Sequence, residues 1–157
     1  MKIELAKNEV IHFIGIGGIG MSGLSLIMKG KEFNVQGSDI ALNKNIERLK
    51  KEKIKIFIGH KKNQIRNATI VVISSAIKKN NPELLEAKRK NLLIIKRGRM
   101  LAHIVSLMKN IVVVGSHGKT TTTSLVASIF QKTKLDPTII NGGVINSLKS
   151  SAKLGKS

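Results

Sequence analysis

Lys119 and Thr120 are the pair of residues whose chemistry is easiest to infer from the sequence. They follow the glycine turn Gly115–Gly118 (GSHG), and three further threonines come directly after them. A glycine turn that opens a helix directs backbone N–H groups and the positive end of the helix dipole toward an anion. The lysine can reach a terminal phosphate, and the threonine hydroxyl can bind a magnesium ion that bridges two phosphates. This spacing predicts a phosphate-binding loop.

The neighbouring residues predict the elements that such a loop requires. The apolar run Ile111–Val114 predicts a strand before the turn. A helix is predicted after the turn from apolar residues at helical spacing, namely Leu125, Val126, Ile129 and Phe130. Val113 stands where the full G-x-x-x-x-G-K-[ST] pattern has its first glycine, so the loop is a shortened form that begins at Gly115. The alternative interpretation is a glycine turn followed by a solvated lysine.

A second glycine motif follows the apolar run Val10–Ile14. Gly15, Gly17 and Gly20 satisfy G-x-G-x-x-G, whose glycines allow a tight turn, close approach of a pyrophosphate, and close packing of helix on strand. Asp39 comes 19 residues after Gly20, at the end of the next predicted strand, where a carboxylate can contact a ribose. The context predicts a nucleotide with a diphosphate, and both NAD and a UDP-sugar fit. A glycine turn that only packs is the alternative.

The composition limits the class of protein. Among 157 residues, 28 Lys and Arg against 9 Asp and Glu give a formal net charge of +19. This charge suits nucleic acid or an anionic small substrate, but aromatic residues make up only 3%, so stacking platforms for single strands are scarce. Lys, Ile and Asn share A/T-rich codons, so genome composition accounts for much of the charge. With no cysteine, no long apolar span and no signal-like N-terminus, we expect a cytoplasmic protein without disulfides or zinc-thiolate sites.

Apolar runs alternate with helical patterns, which predicts an α/β fold with a parallel sheet. We expect a Rossmann-like domain over residues 1–108 and the start of a P-loop-type α/β domain over residues 109–157. In the second unit, 138–140 predicts a strand, which Asn141, Gly142 and Gly143 follow, and the tail 147–157 has no core pattern. About fifty residues are too few to close such a domain, so we expect the chain to be cut short. The first unit has predicted strands at 10–14, 33–37, 54–58, 70–73 and 92–95, and predicted helices after Gly20 and at 43–51, 82–90 and 98–108.

The four histidines are scattered and acidic residues are few, so the sequence predicts neither a metal cluster nor catalysis by paired carboxylates. His60 follows the end of a predicted strand, where ligands bind in open α/β sheets. His117 lies inside the phosphate loop, so we favour functional roles for both. His103 lies in a predicted helix and is interpreted as a packed or surface residue.

The two glycine loops lie about a hundred residues apart, and further motifs surround them. These motifs are HFIGIGGIGMSGLS from His12, GSD from Gly37, GH from Gly59, SSAI from Ser74, NPE from Asn81, RGRMLA from Arg97 and GSHGKTTTTS from Gly115. Over residues 8–147 the chain resembles the Mur ligase family, the ATP-dependent ligases of bacterial peptidoglycan synthesis, on which cell shape and division depend. It departs from the family pattern at Ser116, where threonine is usual, and at Arg99, where an acidic residue is common.

The resemblance implies a three-domain ligase, of which this chain supplies the UDP-sugar domain and the opening of the ATP-binding domain. The implied substrates are UDP-N-acetylmuramate and L-alanine, with ATP and Mg²⁺, and the lactyl carboxylate becomes an acyl phosphate that the amine attacks. The resemblance assigns ATP to Gly115, Ser116, His117, Gly118, Lys119, Thr120 and Thr121, with Lys119 and Thr120 catalytic and the Thr120 hydroxyl on Mg²⁺. It assigns the UDP-sugar to Gly15, Gly17, Gly18, Gly20, Asp39, His60 and Ser75. Because the remaining domains are expected as partners, we expect the 157 residues alone to be inactive.

Three alternatives stay open. Within the family, the substrate joined to the UDP-sugar is a different amino acid or a peptide. From another class, the chain is an NAD-binding Rossmann module, which has no need of the second loop. A basic nucleic-acid-binding protein is the third, although we expect no specific nucleic-acid partner and no membrane span.

Overall fold

The computed structural model describes residues 5–145, 148 and 150–156, and strands alternate with helices over most of it. The strands are β1 (Val10–Ile14), β2 (Asn34–Asp39), β3 (Lys55–Ile58), β4 (Ile70–Ile73), β5 (Leu93–Lys96), β6 (Ile139–Ile145) and β7 (Ser150–Lys153). The helices are α1 (Ile19–Gly30), α2 (Lys44–Lys51), α3 (Pro82–Arg89), α4 (Arg97–Ser106) and α5 (Lys119–Gln131), and a 3₁₀ turn covers Lys62–Ile65.

Strands β1 to β5 form one parallel sheet in the order β3-β2-β1-β4-β5. This is the order of a Rossmann half, in which the chain reverses its direction of travel across the sheet between β1 and β4. The predicted α/β class and parallel sheet are confirmed, and the five predicted strands lie within two residues of the observed bounds. β1 is central and has a strand on each side, which explains why its residues are apolar except for His12.

Side chains of β1 alternate between the two faces of the sheet, so they pack in two separate cores. Ile11 and Phe13 lie in the larger core, which α1 and α4 cover. Ile14 lies in a smaller core with residues of α3 and the 3₁₀ turn. His12 shares the face of Ile14 because side chains of a strand alternate with a period of two. A histidine in an otherwise apolar strand is therefore directed toward α3.

The strand predicted at Ile111–Val114 does not form. These residues have no regular secondary structure, and Val114 is 82% exposed. A strand needs a neighbour to pair its backbone hydrogen-bonding groups, and no strand of the described residues pairs with this run. The helix predicted after the turn does form, as α5, although Ala127 is its only buried residue.

The C-terminal segment forms a hairpin that the sequence analysis did not predict. The predicted strand at 138–140 is longer in the structure, where β6 continues to Ile145, and β7 pairs with it in antiparallel orientation. The expectation of no core pattern in the tail is also wrong, because Ser150, Ser151 and Ala152 are all buried. Residues 147, 149 and 157 of that tail lie outside the described residues. Pattern analysis does not detect such a segment, because its residues are small. They are buried because the strand approaches a helix closely, and large apolar side chains are not needed.

This hairpin packs on α1 of the first unit. A Cβ on Gly23 would lie 2.9 Å from the Cβ of Ala152, so the glycine lets the strand approach the helix closely. Ser151 Oγ donates a hydrogen bond to the carbonyl of Ile19 at 3.0 Å, across 132 residues of sequence. Arg48 Nη2 donates to the carbonyl of Ala152 at 3.2 Å. The hairpin that follows α5 is therefore attached to helices α1 and α2 of the first unit.

Candidate functional site

The first glycine loop is a tight turn that is bonded to the end of β2. Gly15 has a φ of +82°, which residues with side chains rarely adopt. The N–H groups of Gly15 and Ile16 both donate to the carbonyl of Ser38, at 2.8 and 2.9 Å. Gly37 leaves room for the loop, because a Cβ there would lie 2.6 Å from both Ile16 Cδ1 and the carbonyl oxygen of Phe13. The turn is thus part of the packed sheet.

Gly17 is buried, and its backbone groups are bonded to other parts of the protein. Its N–H donates to Asp39 Oδ2 at 2.8 Å. Its carbonyl accepts hydrogen bonds from Asn45 Nδ2 at 2.8 Å and from Asn43 Nδ2 at 3.4 Å. A Cβ on Gly17 would lie 2.7 Å from Asn43 Nδ2. Its missing side chain therefore makes room for the protein's own side chains, whereas the motif predicts room for a pyrophosphate.

Asp39 fastens the loop to β2. Besides the bond from Gly17, its Oδ1 accepts a hydrogen bond from the N–H of Ile40 at 2.8 Å. Each carboxylate oxygen can accept a second hydrogen bond, so a ribose hydroxyl remains compatible with this arrangement. The predicted ribose contact of Asp39 stays a prediction.

The backbone donors that remain for an anion lie at the start of α1. Gly18 is exposed, and the first helical hydrogen bond runs from the Ser22 N–H to the Gly18 carbonyl at 2.8 Å. The N–H groups of residues 19–21 precede that bond and have no helical acceptor. The first turn contains no acidic side chain. The helix start, which includes Gly20, therefore presents positive partial charge to the loop's exposed side.

Arg97 is a candidate site residue that the sequence analysis missed. Its side chain extends from the start of α4 over Gly20, where an added Cβ would lie 3.0 Å from Nη1 and 3.3 Å from Cδ. Among the described residues no carboxylate forms an ion pair with Arg97. A guanidinium beside a helix start suits a phosphate, because its planar donors match two phosphate oxygens. Sequence spacing gave no signal that α4 begins beside the first loop.

A buried polar cluster lies between β1, β2 and α3. Glu83 has no exposed surface. Its carboxylate is 2.9 Å from His12 Nε2, 2.6 Å from Ser38 Oγ and 2.6 Å from His60 Nδ1. Gln36 Nε2 lies 3.1 Å from His12 Nδ1. Burial raises the pKa of Glu83, but hydrogen bonds from His12, Ser38 and His60 outweigh it and hold the pKa below its ordinary value.

The sequence analysis favoured His60 as a site residue but missed Glu83 and His12. His12 interrupts the buried run VIHFI, and a polar side chain inside a buried strand needs a buried partner, which is a usable signal. Asn81 then positions that partner, because its Oδ1 accepts hydrogen bonds from the N–H groups of Glu83 and Leu84 at 2.9 and 3.1 Å. This side-chain cap starts α3 with Glu83 in its first turn, facing the sheet.

Three predicted site residues share one edge of the sheet. Asp39 ends β2, His60 follows β3, and exposed Ser75 lies in the turn after β4. The N–H of Gly59 donates to the carbonyl of Asp39 at 2.8 Å, which joins the ends of β2 and β3. Because the strands are parallel, their carboxyl ends meet at one edge, the usual ligand edge of an open α/β sheet. The contacts of these three residues with a ligand stay predictions.

The second glycine loop is exposed from Gly115 to Thr121. Gly118 has a φ of +75°, a conformation that favours glycine. Lys119 Nζ donates to the carbonyls of Gly115 and Ser116, at 2.5 and 2.9 Å. The ammonium group therefore lies over its own loop, and a bound phosphate would have to replace these two carbonyls as its acceptors.

The start of α5 fits a phosphate chain better than it fits a metal ion. The first helical bond runs from the Thr122 N–H to the Gly118 carbonyl at 2.9 Å, which leaves the N–H groups of 119–121 as donors. Mg²⁺ prefers oxygen ligands that include carboxylates, yet the described residues contain no cluster of three His, Cys, Asp or Glu side chains. Beyond Thr120, Asp136 is the sole acidic residue, and its hydrogen bond from Lys153 at 2.6 Å lowers its pKa. Thr120 thus offers Mg²⁺ one hydroxyl.

A cavity of about 330 Å³ lies beside the first loop and reaches strand β6. It is lined by Gly20, Leu24, Arg97, Leu101, Ile140, Asn141 and Gly142. Asn141 Nδ2 also lies 3.5 Å from the carbonyl of Thr120, and a Cβ on Gly143 would lie 3.1 Å from Thr120 Cγ2. Strand β6 therefore contacts the second loop's helix while it lines a cavity of the first, and the volume falls in the range of ligand pockets.

The two other histidines differ in their surroundings. His103 is half-buried on α4, and this burial lowers its pKa. That position agrees with its interpretation as a packed residue. His117 is exposed in the second loop, and its functional role stays a prediction. Among the described residues, no helix is long and apolar enough to cross a membrane.

The chain is similar to a group of bacterial ligases. It is 78% identical over 157 residues to the UDP-N-acetylmuramate–L-alanine ligase of Pelagibacter ubique (strain HTCC1062), covering 100% of this chain and 34% of that protein. It is 52% identical over 159 residues to the ligase of the same name from Rickettsia bellii (strain OSU 85-389), covering 99% and 33%. The chain thus spans about a third of the length of the curated relatives it matches.

Solved structures share the fold. The UDP-N-acetylmuramate-alanine ligase of Thermotoga maritima matches with a TM-score of 0.86 and 31% identity, over 94% of this chain and 35% of that one. The UDP-N-acetylmuramate:L-alanyl-gamma-D-glutamyl-meso-diaminopimelate ligase of Neisseria meningitides matches with a TM-score of 0.84 and 29% identity, over 96% and 48%. Both likenesses cover more than nine-tenths of this chain.

A family model described as "Mur ligase family, catalytic domain" matches residues 10–109, which is more than half of the chain. The matched range begins with β1, carries the first glycine loop and the buried cluster, and ends just after α4. The resemblance inferred from the motifs is confirmed, and the chain belongs to the Mur ligase family.

Proposed function

We propose that this chain is part of an ATP-dependent ligase that joins L-alanine to the carboxylate of UDP-N-acetylmuramate through an acyl phosphate. In this proposal residues 1–108 bind the UDP-sugar, and residues 109–157 begin the ATP-binding domain. The relatives at 78% and 52% identity, both named as L-alanine ligases, support this choice of substrates.

The observation that carries the proposal is the position of β6 between the two glycine loops. Asn141 and Gly142 line the cavity beside Gly20, and Asn141 is also within reach of the Thr120 carbonyl. A UDP-sugar whose diphosphate lies at the start of α1 would extend its sugar into this cavity, toward the second loop. A carboxylate and a terminal phosphate held on the two sides of one strand would start close together, which removes much of the entropic barrier to their reaction.

The first loop's exposed N–H groups and Arg97 would neutralise the diphosphate. Residues 19–21 supply the helix-start donors, and the guanidinium adds a full charge beside Gly20. Gly15, Gly17 and Gly18 shape the turn, and Asp39, His60 and Ser75 lie along the sheet edge where a nucleoside would extend. The buried and internally bonded state of Gly17 supports a role in holding the loop rather than in touching the ligand.

The second loop would hold ATP. Backbone donors from Gly115, Ser116, His117, Gly118 and Thr121, with the Lys119 ammonium, would surround the terminal phosphates, and the Thr120 hydroxyl would bind Mg²⁺. Magnesium, when bound, neutralises charge on the transferred phosphate. Because the described residues give it one hydroxyl and no nearby carboxylate, we expect no ATP- and alanine-dependent phosphate release from the 157 residues alone.

Another Mur ligase with a peptide substrate is the second candidate. Its support is the Neisseria meningitides structure, whose TM-score of 0.84 is close to the 0.86 of the Thermotoga maritima structure. The described residues hold no feature that distinguishes an amino acid from a peptide, so this candidate shares the UDP-sugar site and differs only in what the sugar carboxylate is joined to.

Isothermal titration of the 157-residue chain with UDP-N-acetylmuramate and with NAD tests the UDP-sugar site. We expect the UDP-sugar to bind more tightly, and Arg97→Gln to weaken it about tenfold because a charge-assisted hydrogen bond is lost. Arg99→Gln is the matched control, since both arginines are exposed in the first turn of α4 but only Arg97 lies over Gly20. Tighter binding of NAD, or equal losses in the two variants, would overturn the proposed site.

A further inference from the structure

We propose that Glu83 is a positioning residue, which fixes His60 in one tautomer so that its Nε2 accepts a hydrogen bond from the nucleoside of the UDP-sugar. The inference deepens the proposed function and rests on it for the identity of the ligand. Glu83 does not reach the surface, so it would act through His60 and not by contact with the substrate.

The argument begins with the donors around Glu83. An ionised carboxylate has no proton to donate, so each polar atom bonded to it must supply one. The Ser38 hydroxyl donates to Oε2 at 2.6 Å. His12 Nε2 and His60 Nδ1, at 2.9 and 2.6 Å, must then both carry hydrogen. The carboxylate therefore dictates which nitrogen is protonated on each of two imidazole rings.

The tautomer of His12 is fixed a second time from its other nitrogen. Gln36 Nε2 donates to the carbonyl of Gln64 at 3.2 Å, which identifies that atom as the amide nitrogen. The same Nε2 lies 3.1 Å from His12 Nδ1, which must therefore accept. His12 thus has hydrogen on Nε2 and an accepting Nδ1, and both nitrogens are already bonded within the cluster.

His60 is held only at Nδ1. Among the described residues its Nε2 has no hydrogen-bond partner, and it is not among the fully buried atoms that lack one, so it keeps access to solvent. With Nδ1 protonated, Nε2 of the neutral ring is an acceptor. His60 also follows β3 at the ligand edge of the sheet, directly after Gly59, whose N–H is bonded to the carbonyl of Asp39.

A bare imidazole nitrogen selects a ligand group by its chemistry. Phosphate oxygens only accept hydrogen bonds, so they are poor partners for Nε2 in this state. A uridine offers donors of two kinds, the ribose hydroxyls and the imide N–H of the base. The inferred partner is therefore a donor on the nucleoside, and analogues that lack one donor at a time separate the two sources.

The tautomers can be read directly from ¹⁵N shifts of the histidine rings in the 157-residue chain, at a pH well above the ordinary histidine pKa of about 6.5. We expect hydrogen on Nδ1 of His60 and on Nε2 of His12. Glu83→Gln keeps the shape of the side chain but replaces one acceptor oxygen with an NH₂ donor. Because Gln36 also fixes the His12 tautomer, the remaining oxygen should accept from His12 Nε2. The NH₂ group then faces His60 Nδ1, so the His60 hydrogen should move to Nε2. Hydrogen on His60 Nε2 in the unchanged chain would overturn the inference without any variant.

Two variants serve as controls for that measurement. Glu86→Gln removes the same charge from the same helix, but Glu86 pairs with exposed Arg89 and takes no part in the cluster. Ser38→Ala removes a neutral hydroxyl that lies 2.6 Å from Glu83 Oε2 and 3.1 Å from His60 Nδ1, and leaves the carboxylate to hold His60. We expect the tautomer of His60 to be unchanged in both, whereas a merely structural role of the cluster would disturb the rings in Ser38→Ala as well.

Titration with UDP, 2′-deoxy-UDP and N3-methyl-UDP completes the test. Glu83→Gln and His60→Ala should each weaken UDP about tenfold, and the double variant should be no weaker than His60→Ala. The analogue that lacks the relevant donor should bind the unchanged chain and Glu83→Gln alike. If UDP binds all variants equally, the inference is wrong and the proposed function stands. If UDP does not bind the unchanged chain, the proposed function itself is wrong.

Discussion

The two glycine loops have similar sequence patterns and different surroundings. The first follows a central strand, and its N–H groups are bonded to Ser38 and Asp39 of the neighbouring strand. The second follows Ile111–Val114, which has no strand partner among the described residues, and its lysine bonds to the carbonyls of its own loop. The first loop is packed into the core, whereas the second is exposed to solvent and precedes a helix with one buried residue.

This difference shows what a glycine motif encodes by itself. Both motifs give a turn with positive φ and a helix that starts with unbonded N–H groups, since those features arise from residues close in sequence. Rigidity has to come from residues far away in sequence, such as Gly37, Asp39 and Asn43 around the first loop. A local motif thus predicts where an anion can bind, and the surrounding sheet decides how firmly the loop is held.

The largest expected effect comes from removing the space that holds the first loop. Gly37→Ala would place a Cβ 2.6 Å from the carbonyl oxygen of Phe13, a backbone atom that cannot move without shifting β1. We expect a loss of about 3 kcal/mol in the free energy of unfolding, measured by urea denaturation. Gly98→Ala is the control, because a Cβ there meets nothing within 4 Å and lies in helix α4. A stable Gly37→Ala chain would mean that the first loop is no more constrained than the second.

The second loop should behave in the opposite way, with a loss of binding and no loss of stability. Lys119→Ala removes an exposed ammonium that contacts only its own loop, so unfolding should change by less than about 0.5 kcal/mol. Affinity for ATP should fall by about 2 kcal/mol, because a hydrogen bond from a charged group to phosphate is lost. Titration calorimetry with ATP measures this, and Lys132→Ala, at the C-cap of the same helix, is the charge-matched control. UDP-sugar affinity should be unchanged, and a parallel loss there would contradict separate roles for the loops.

A smaller effect should follow from loosening the first loop at one side chain. Asn43 Oδ1 accepts a hydrogen bond from the Ile46 N–H at 3.0 Å and so caps α2, and its Nδ2 reaches the carbonyl of Gly17. Asn43→Ala should cost about 1 kcal/mol in the free energy of unfolding. Both variants are compared by thermal melting. Asn80→Ala, at an exposed turn position, should leave the melting temperature unchanged. Equal melting temperatures of the two variants would remove Asn43 from the residues that fix this loop.

Much of the fold follows from the sequence because the first unit has strong local signals. β4 is a continuous apolar run and β1 is apolar except for His12. The Asn81-Pro82 pair begins α3 where a cap and an N1 proline predict it. In the second unit the signal was equally local but the strand prediction at Ile111–Val114 was wrong, because no strand of the described residues pairs with that run. Ile111–Val114 has the composition of a buried strand and is exposed, because β propensity requires a pleated neighbour to be expressed.

The glycine loops of the candidate site were predictable from the sequence, whereas the side chains that reach the loops from distant helices were not. Spacing alone predicts Gly15, Asp39 and Lys119 as site residues, since phosphate-binding turns have fixed local geometry. Arg97 and Glu83 reach the site from helices that come much later in the sequence, and only the order of strands in the sheet brings them there. Ala152 is a third case, in which a small residue in a polar tail is buried against a glycine of α1.

The contact between α1 and β7 also bears on how the chain folds during synthesis. Ile19 leaves the ribosome 132 residues before Ser151, to which its carbonyl is bonded in the finished structure. At about 5–20 residues per second this interval lasts on the order of ten seconds, far longer than a helix needs to form. Throughout that time the glycine-bearing side of α1 has no strand against it. The nascent first unit therefore exposes one face of α1 until residues 150–153 have been synthesised and cover it.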